Sequence, residues 1–97
     1  MLQSQVKFHG YDPTEAIIEI KRRDGEHNLR TEDIIAKIDE VGEELAVVLI
    51  GGINYYTGQV LDMENITAAG HRAGAKVGWD LAHAAGNIQL KLHDWKV

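Results

Sequence analysis

Cysteine is absent from the 97-residue sequence, and so is any apolar run long enough to span a bilayer. The lack of cysteine excludes a disulfide framework and a thiolate metal site. The amino terminus also lacks the charged segment followed by an apolar segment that marks a signal peptide. We therefore expect a protein of a reducing, cytoplasmic compartment with no membrane association.

Clustered positive charge is also missing. The sequence has 15 acidic and 10 basic residues, a formal net charge of -5, and its longest basic run is Lys-Arg-Arg at residues 21–23. Asp24 and Glu26 follow that run and weaken its field. Because nucleic-acid binding depends on a basic surface, we expect no nucleic-acid partner.

Proline occurs once, as Pro13 in the turn-forming sequence Tyr-Asp-Pro-Thr at residues 11–14. No repeat, low-complexity stretch or interdomain linker is visible. With 44% hydrophobic and 26% charged residues, the chain fits one soluble unit with a modest core. We therefore expect residues 1–97 to form a single segment.

The first half of the chain carries a strand pattern and then a helix pattern. Residues 15–21 are rich in isoleucine and precede a turn pair at residues 24–25, which predicts a strand. Apolar residues recur at helical spacing over residues 34–41. This spacing predicts a helix that Thr31 caps and Gly42 ends.

In the second half, two strand patterns flank a second helix. Residues 45–50 are apolar without alternation, which is typical of a central, parallel strand buried on both faces. A glycine-bracketed loop at residues 51–59 follows, at the strand end where α/β sheets hold active sites. Residues 63–73 predict a helix and residues 76–80 a short strand. The order predicts an α/β fold with mostly parallel strands and βαβ units, as one part of a larger domain.

Asp80 ends the last predicted strand, and His83 follows three residues later. One interpretation makes Asp80 the cap of the next turn, where its carboxylate accepts a backbone N–H, with His83 packed alongside. The other makes Asp80 the partner of a protonated heterocyclic nitrogen, so that the ring can absorb an electron pair from a substrate carbon. In that case His83 orients or screens the pair. The spacing leaves both interpretations open.

Other residue combinations predict no further site. Some histidines and an aspartate could be assembled into a metal site, but no pair has the spacing of a known zinc motif, so we expect no metal. These residues are His71, His83, His93 and Asp94. The glycines at residues 51–52 lack the GxGxxG pattern of dinucleotide-binding loops. Trp79 and Trp95 are expected to fill core or interface volume.

Several motifs resemble the central part of kynureninases in both order and spacing. They are Asn-Tyr-Tyr-Thr-Gly-Gln at residues 54–59, Ile-Thr at 66–67, Val-Gly-Trp-Asp-Leu-Ala-His-Ala-Ala-Gly-Asn at 77–87 and Leu-His-Asp-Trp at 92–95. Residues 23–34 also look like that family. The likeness covers nearly the whole chain, and it is far more specific than one Asp-x-x-His pair.

The resemblance implies a partial three-layer, PLP-transferase-like large domain of the aspartate aminotransferase superfamily. The implied cofactor is pyridoxal 5'-phosphate, and the implied substrate is a small molecule, L-kynurenine or 3-hydroxykynurenine. The implied reaction is the hydrolysis of L-kynurenine to anthranilate and L-alanine, in tryptophan catabolism and NAD biosynthesis. Family members are homodimers with active sites at the subunit interface.

The resemblance also assigns roles to individual residues. Asp80 matches the family's acid to the pyridine nitrogen, and His83 matches the cofactor-site histidine beside it. Gly51 stands where some members place a cofactor-contacting serine, so any contact from Gly51 would use its backbone or a water molecule. Asn54 and Tyr56 belong to the loop motif and are expected to line the site, with local hydrogen bonding in the loop as their alternative role.

The family's Schiff-base lysine is not among the 97 residues. In kynureninases it follows a tyrosine shortly after the His-Asp-Trp motif, and Lys96 lies too early to replace it. We therefore expect no catalytic residue within the chain, which looks like an inactive internal fragment of a hydrolase. Two alternatives stay open. One is another fold-type-I PLP enzyme, such as a cysteine desulfurase or an aminotransferase, and the other is a non-catalytic binding or scaffold domain.

Overall fold

The computed structural model describes residues 2–97 and has α/β architecture. In chain order its elements are α1 (Leu2–Phe8), α2 (Pro13–Ala16), α3 (Thr31–Val41), a 3-10 turn (Gly42–Glu44), β1 (Val47–Gly51), α4 (Met63–Arg72) and β2 (Lys76–Asp80). The two strands pair in parallel, and α4 connects them. The predicted α/β class and the βαβ unit are therefore confirmed.

α3 forms where the isoleucine spacing predicts a helix. Its buried residues are Ile34 and Ile38, one turn apart on the same face, and it ends at Gly42 with a φ of 58°, a region that favours glycine. The prediction that Thr31 caps this helix is wrong. Arg30 takes the cap position with an extended backbone and no side-chain capping bond, so Thr31 is the first helical residue.

α4 has a side-chain cap at its amino end, which α3 lacks. The Asp62 carboxylate accepts a hydrogen bond from the Asn65 backbone N–H at 3.1 Å, and Gly74 follows the helix with a φ of 84°. One face of α4 is buried, formed by Met63, Ile66, Thr67, Ala69 and Gly70. The helix predicted over residues 63–73 is confirmed, and β2 matches the predicted strand at both ends.

The two faces of the small sheet differ in burial. Successive side chains of a strand point to opposite faces. Val48 is buried beneath α3 and α4, whereas Val47 and Leu49 are 56% and 50% exposed. The prediction that residues 45–50 are buried on both faces is therefore wrong, because within residues 2–97 the helices cover only one face.

The prediction of a strand at residues 15–21 is also wrong. The beginning of that stretch is helical in α2, where the Asp12 carboxylate accepts the Thr14 backbone N–H at 2.9 Å. The rest has no strand beside it within residues 2–97, and a strand requires a hydrogen-bonded neighbour. Ile20 packs against the core instead, while Ile18 is half exposed.

The core lies between the helices and the sheet. Its buried members are Ile34, Ile38, Val48, Leu61, Ile66, Ala69 and Ala75. Gly70 brings α4 close to the sheet, since a Cβ at that position would overlap the Val77 side chain. Trp79 packs against the same core, as predicted. Across residues 2–97, no helix has the length and hydropathy that crossing a membrane requires.

Candidate functional site

The carboxyl ends of β1 and β2 meet at one edge of the sheet. Gly51 and Asp80 are register partners there, and the Gly52 N–H donates to the Asp80 carbonyl at 2.9 Å. By strand alternation, Gly51 and Asp80 share the sheet face of Val47 and Leu49, opposite α4. Two residues chosen from the sequence therefore lie side by side at the edge where α/β sheets hold ligands.

The Asp80 carboxylate is exposed, and one of its oxygens is engaged. Oδ1 accepts a hydrogen bond from the Ala82 backbone N–H at 2.9 Å, so the capping interpretation describes half of this carboxylate. Oδ2 accepts no hydrogen bond from any residue of 2–97. One oxygen thus orients the carboxylate, and the other remains available to a ligand.

His83 lies exposed in the turn after β2 and stacks on Tyr55, which comes from the loop after β1. Their ring centroids are 6.1 Å apart and their planes are inclined by 29°. Sequence reasoning selected Tyr56 and missed Tyr55. The signal was nevertheless present, because Tyr55 is an aromatic residue in a loop at the carboxyl end of a strand.

Asn54 shapes this loop from within. Its side-chain oxygen accepts the backbone N–H groups of Tyr56 and Thr57 at 2.8 and 3.1 Å, and its carbonyl accepts the Gly58 N–H at 2.8 Å. The local role considered for Asn54 is therefore observed. Tyr56 is exposed and packs edge-on against Tyr55, with centroids 6.3 Å apart. Within residues 2–97, no hydrogen bond or ring contact joins Asn54 or Tyr56 to Asp80 or His83.

Gln59 ties the loop to the segment that precedes α3. Its Nε2 donates to the Leu29 carbonyl at 2.6 Å, and its Oε1 accepts the Leu29 N–H at 2.9 Å. An antiparallel bridge between Ile53 and Val60 closes the base of the loop. The loop that carries Tyr55 is therefore anchored both at its base and through a side chain.

Two exposed ion pairs organise the segment before α3 and the first turn of that helix. Arg23 donates two hydrogen bonds to Asp33, at 2.8 and 2.7 Å, and Arg30 pairs with Glu26 at 2.6 Å. The hydrogen bonds from Arg23 lower the pKa of Asp33, and those from Arg30 lower the pKa of Glu26. Each pair is exposed to solvent, so its contribution to stability is small.

The sheet also borders a concave surface that lies away from this edge. It is a groove of about 670 Å³ between β1, α3 and residues 17–20, and its lining is mainly apolar. Its lining includes Ile50 but not Gly51, Asp80 or His83. Within residues 2–97, no three His, Asp or Glu side chains converge as a metal site.

No model of a known protein family matches the sequence. Individual proteins do match it. The chain is 75% identical to a kynureninase of Flavobacterium johnsoniae over 97 residues, which are 100% of this chain and 23% of that protein. It is 72% identical to a kynureninase of Flavobacterium psychrophilum, again over 100% of this chain and 23% of that protein. A kynureninase of Nematostella vectensis is 58% identical over 95 residues, 98% of this chain and 20% of that protein.

These relatives agree with the resemblance carried by the motifs. The chain spans about a quarter of the length of the bacterial relatives, and the match extends through the helices and strands as well as the edge with Asp80. The similarity is therefore that of a whole segment and not of a short motif. Over its full length, this sequence is similar to one segment of the kynureninases.

Proposed function

We propose that this chain contributes part of the cofactor site of a pyridoxal 5'-phosphate-dependent hydrolase that cleaves L-kynurenine to anthranilate and L-alanine. The main observation behind the proposal is that Gly51 and Asp80 lie side by side at the carboxyl edge of the sheet, with His83 in the turn that follows. The identity of 75% with a kynureninase, over all 97 residues, supports it.

The groups at this edge fit the chemistry of the cofactor. Pyridoxal 5'-phosphate supplies an electron sink, which needs its ring nitrogen protonated. A carboxylate next to that nitrogen favours the protonated form, and Asp80 offers Oδ2 for this contact while the Ala82 N–H orients Oδ1. Gly51 leaves room beside Asp80, since within residues 2–97 a Cβ there would meet only the Ile53 carbonyl oxygen, at 3.8 Å.

The remaining residues take supporting roles in this proposal. His83 flanks the cofactor from the turn after β2, and Gly51 contacts it through its backbone because it offers no hydroxyl. Tyr56 lines the approach to the site with its exposed ring. Asn54 acts indirectly, through the hydrogen bonds that shape the loop.

The longer protein is proposed to have a three-layer PLP-transferase-like large domain and to act as a cytoplasmic homodimer on L-kynurenine or 3-hydroxykynurenine. The half-exposed side chains of Val47 and Leu49 support this architecture, because parallel strands are normally covered on both faces. The 97-residue chain does not contain the lysine that the family joins to the cofactor. We therefore propose that the chain alone does not turn over kynurenine.

A chimeric enzyme tests the function. Residues 1–97 replace the matching segment of the Flavobacterium johnsoniae kynureninase, a change that keeps 75% of the replaced positions. We expect the chimera to release anthranilate from L-kynurenine, detected by its fluorescence. Asp80→Asn keeps an oxygen for the Ala82 N–H but removes the charge, and we expect it to lower kcat about 100-fold or more.

Controls separate the possible failures. Asp24→Asn makes the same change in an exposed turn and should leave kcat unchanged. Full activity of the Asp80→Asn chimera would limit Asp80 to capping the following turn. A folded chimera that binds pyridoxal 5'-phosphate but releases no anthranilate would reject kynurenine cleavage in favour of another reaction. Anthranilate release by the isolated chain would contradict its proposed inactivity.

A further inference from the structure

We propose that Tyr55 is a positioning residue, which stacks on His83 and holds its imidazole in the orientation in which it meets the cofactor. The inference rests on the proposed cofactor site. It gives Tyr55, in the loop after β1, a direct contact with His83, in the turn after β2.

The His83 ring depends on this contact for its orientation. The backbone of its turn is fixed, since the Ala84 N–H donates to the Leu81 carbonyl at 3.0 Å and the Asn87 side chain donates to the His83 carbonyl at 2.8 Å. The imidazole itself makes no hydrogen bond within residues 2–97, and its one ring contact there is with Tyr55. Without a partner, an exposed side chain samples several rotamers, so the stack selects among them.

Tyr55 has a defined place although its side chain is 80% exposed. The Asn54 side chain accepts the backbone N–H of Tyr56, the residue after Tyr55, and the Tyr56 ring packs edge-on against the Tyr55 ring. Gln59 then fixes the far side of the loop to both backbone groups of Leu29. A continuous set of contacts therefore leads from the segment before α3 to the face of the His83 ring.

The contact is made by the face of the Tyr55 ring, and no hydrogen bond of its hydroxyl group occurs within residues 2–97. Phenylalanine should therefore replace tyrosine, whereas leucine should not. This distinction separates stacking from a role of the phenol as an acid, a base or a hydrogen-bond donor.

The first experiment measures the contact itself in the 97-residue chain by NMR. A proton held over an aromatic face resonates upfield, so the His83 ring protons should move downfield in Tyr55→Leu and stay in place in Tyr55→Phe. Tyr11→Leu is the matched control, because Tyr11 is also exposed and makes no ring contact within residues 2–97. Unchanged His83 resonances in Tyr55→Leu would overturn the proposal.

The second experiment measures ligand binding in the cofactor-free chimeric enzyme, which contains the rest of the proposed cofactor site. The probe is pyridoxine 5'-phosphate, whose alcohol cannot form imines with lysines, and the dissociation constant is read from the change in its fluorescence on binding. We expect Tyr55→Leu to weaken binding about two- to fivefold and Tyr55→Phe to change it less than twofold. In a His83→Ala background, Tyr55→Leu should have no further effect, because the two residues act as one unit.

The outcomes distinguish the positioning role from the cofactor site. Binding that Asp80→Asn weakens and Tyr55→Leu does not would overturn the role of Tyr55 alone. An equal loss from Tyr55→Leu with and without His83 would show that Tyr55 acts independently, which also overturns it. Absence of pyridoxine 5'-phosphate binding, or binding that Asp80→Asn leaves unchanged, would reject the cofactor site of this chain and the inference with it.

Discussion

The indole Nε1 of Trp79 donates a hydrogen bond to the hydroxyl oxygen of Thr67 across 2.9 Å. Thr67 is fully buried in α4, and Trp79 immediately precedes Asp80 in β2. The bond therefore joins the helix to the strand one residue before the candidate cofactor contact. It also satisfies the polar atom of an indole that is otherwise packed against the apolar core.

Removing the Thr67 hydroxyl is expected to destabilise the fold. Thr67→Val keeps the side-chain shape but leaves the Trp79 N–H without its partner, at a cost of about 1–3 kcal/mol. Urea unfolding followed by circular dichroism measures the loss. In a Trp79→Phe background the same change should cost much less, because no N–H is left unpaired. An equal cost in both backgrounds would assign the effect to the helix rather than to the hydrogen bond.

Gly70→Ala is expected to destabilise the chain although alanine favours helices. The gain in helix propensity is about 1 kcal/mol, whereas overlap with the Val77 side chain costs about 1–3 kcal/mol. Thermal unfolding of the single variant and of Gly70→Ala with Val77→Ala measures the balance. Gly70→Ala should be neutral or stabilising when Val77 is already alanine. A higher Tm for the single variant would show that β2 moves aside at little cost.

Gln59→Leu is expected to free the loop that carries Tyr55. The substitution removes the acceptor of the Leu29 N–H and the donor to the Leu29 carbonyl. Hydrogen exchange of the Leu29 amide should therefore become faster, by about tenfold for a loss near 1.4 kcal/mol. Gln89→Leu, at an exposed position, is the control and should leave this amide unchanged. Unchanged exchange in Gln59→Leu would mean that the loop is held by its backbone bridge alone.

The Arg23–Asp33 pair predicts a pH-dependent contribution to stability. Because Arg23 lowers the folded-state pKa of Asp33, the pair stabilises the fold above the ordinary carboxylate pKa of about 3.9. The contribution is lost as the pH falls through the lowered folded value. Arg23→Gln should therefore reduce the free energy of unfolding near neutral pH, and the difference from the parent chain should shrink as the solution becomes acidic.

The matched control for this pair is Arg22→Gln, which alters a neighbouring exposed arginine that has no ion pair within residues 2–97. Its effect should be small and should not vary with pH in the same way. Urea unfolding across a pH series measures both variants, and added salt should also reduce the effect of Arg23→Gln. A constant difference between Arg23→Gln and the parent chain at every pH would contradict the ion-pair explanation.

Local sequence signals predicted the elements whose determinants are local. Gly74 and the apolar spacing over residues 63–73 locate α4, and residues 76–80 form β2 as predicted. The prediction of a strand at residues 15–21 is wrong for a non-local reason, since its isoleucines have β propensity but no strand within residues 2–97 pairs with them. The buried appearance of residues 45–50 likewise depended on a second covering layer, which residues 2–97 do not contain.

The candidate site was predictable only in part. The order of the motifs singled out Asp80, His83 and Gly51, and strand pairing brings Gly51 beside Asp80. Tyr55 was missed because two adjacent tyrosines look alike in the sequence. In the loop shaped by the hydrogen bonds of Asn54, the ring of Tyr55 and not that of Tyr56 stacks on His83. The capping bond from Ala82 engages only Oδ1 of Asp80, so the two interpretations of Asp80 are compatible.

Because side chains alternate between the two faces of β2, the number of residues in this strand determines the face on which Asp80 lies. Val77 and Trp79 face α4, so Asp80 faces the opposite side of the sheet. A one-residue insertion or deletion between Val77 and Trp79 would reverse this pattern for the residues that follow, placing an indole at the exposed edge and a carboxylate against the core. The spacing between Val77 and Asp80 is thus a structural dimension of the site, which no substitution at Asp80 itself could restore.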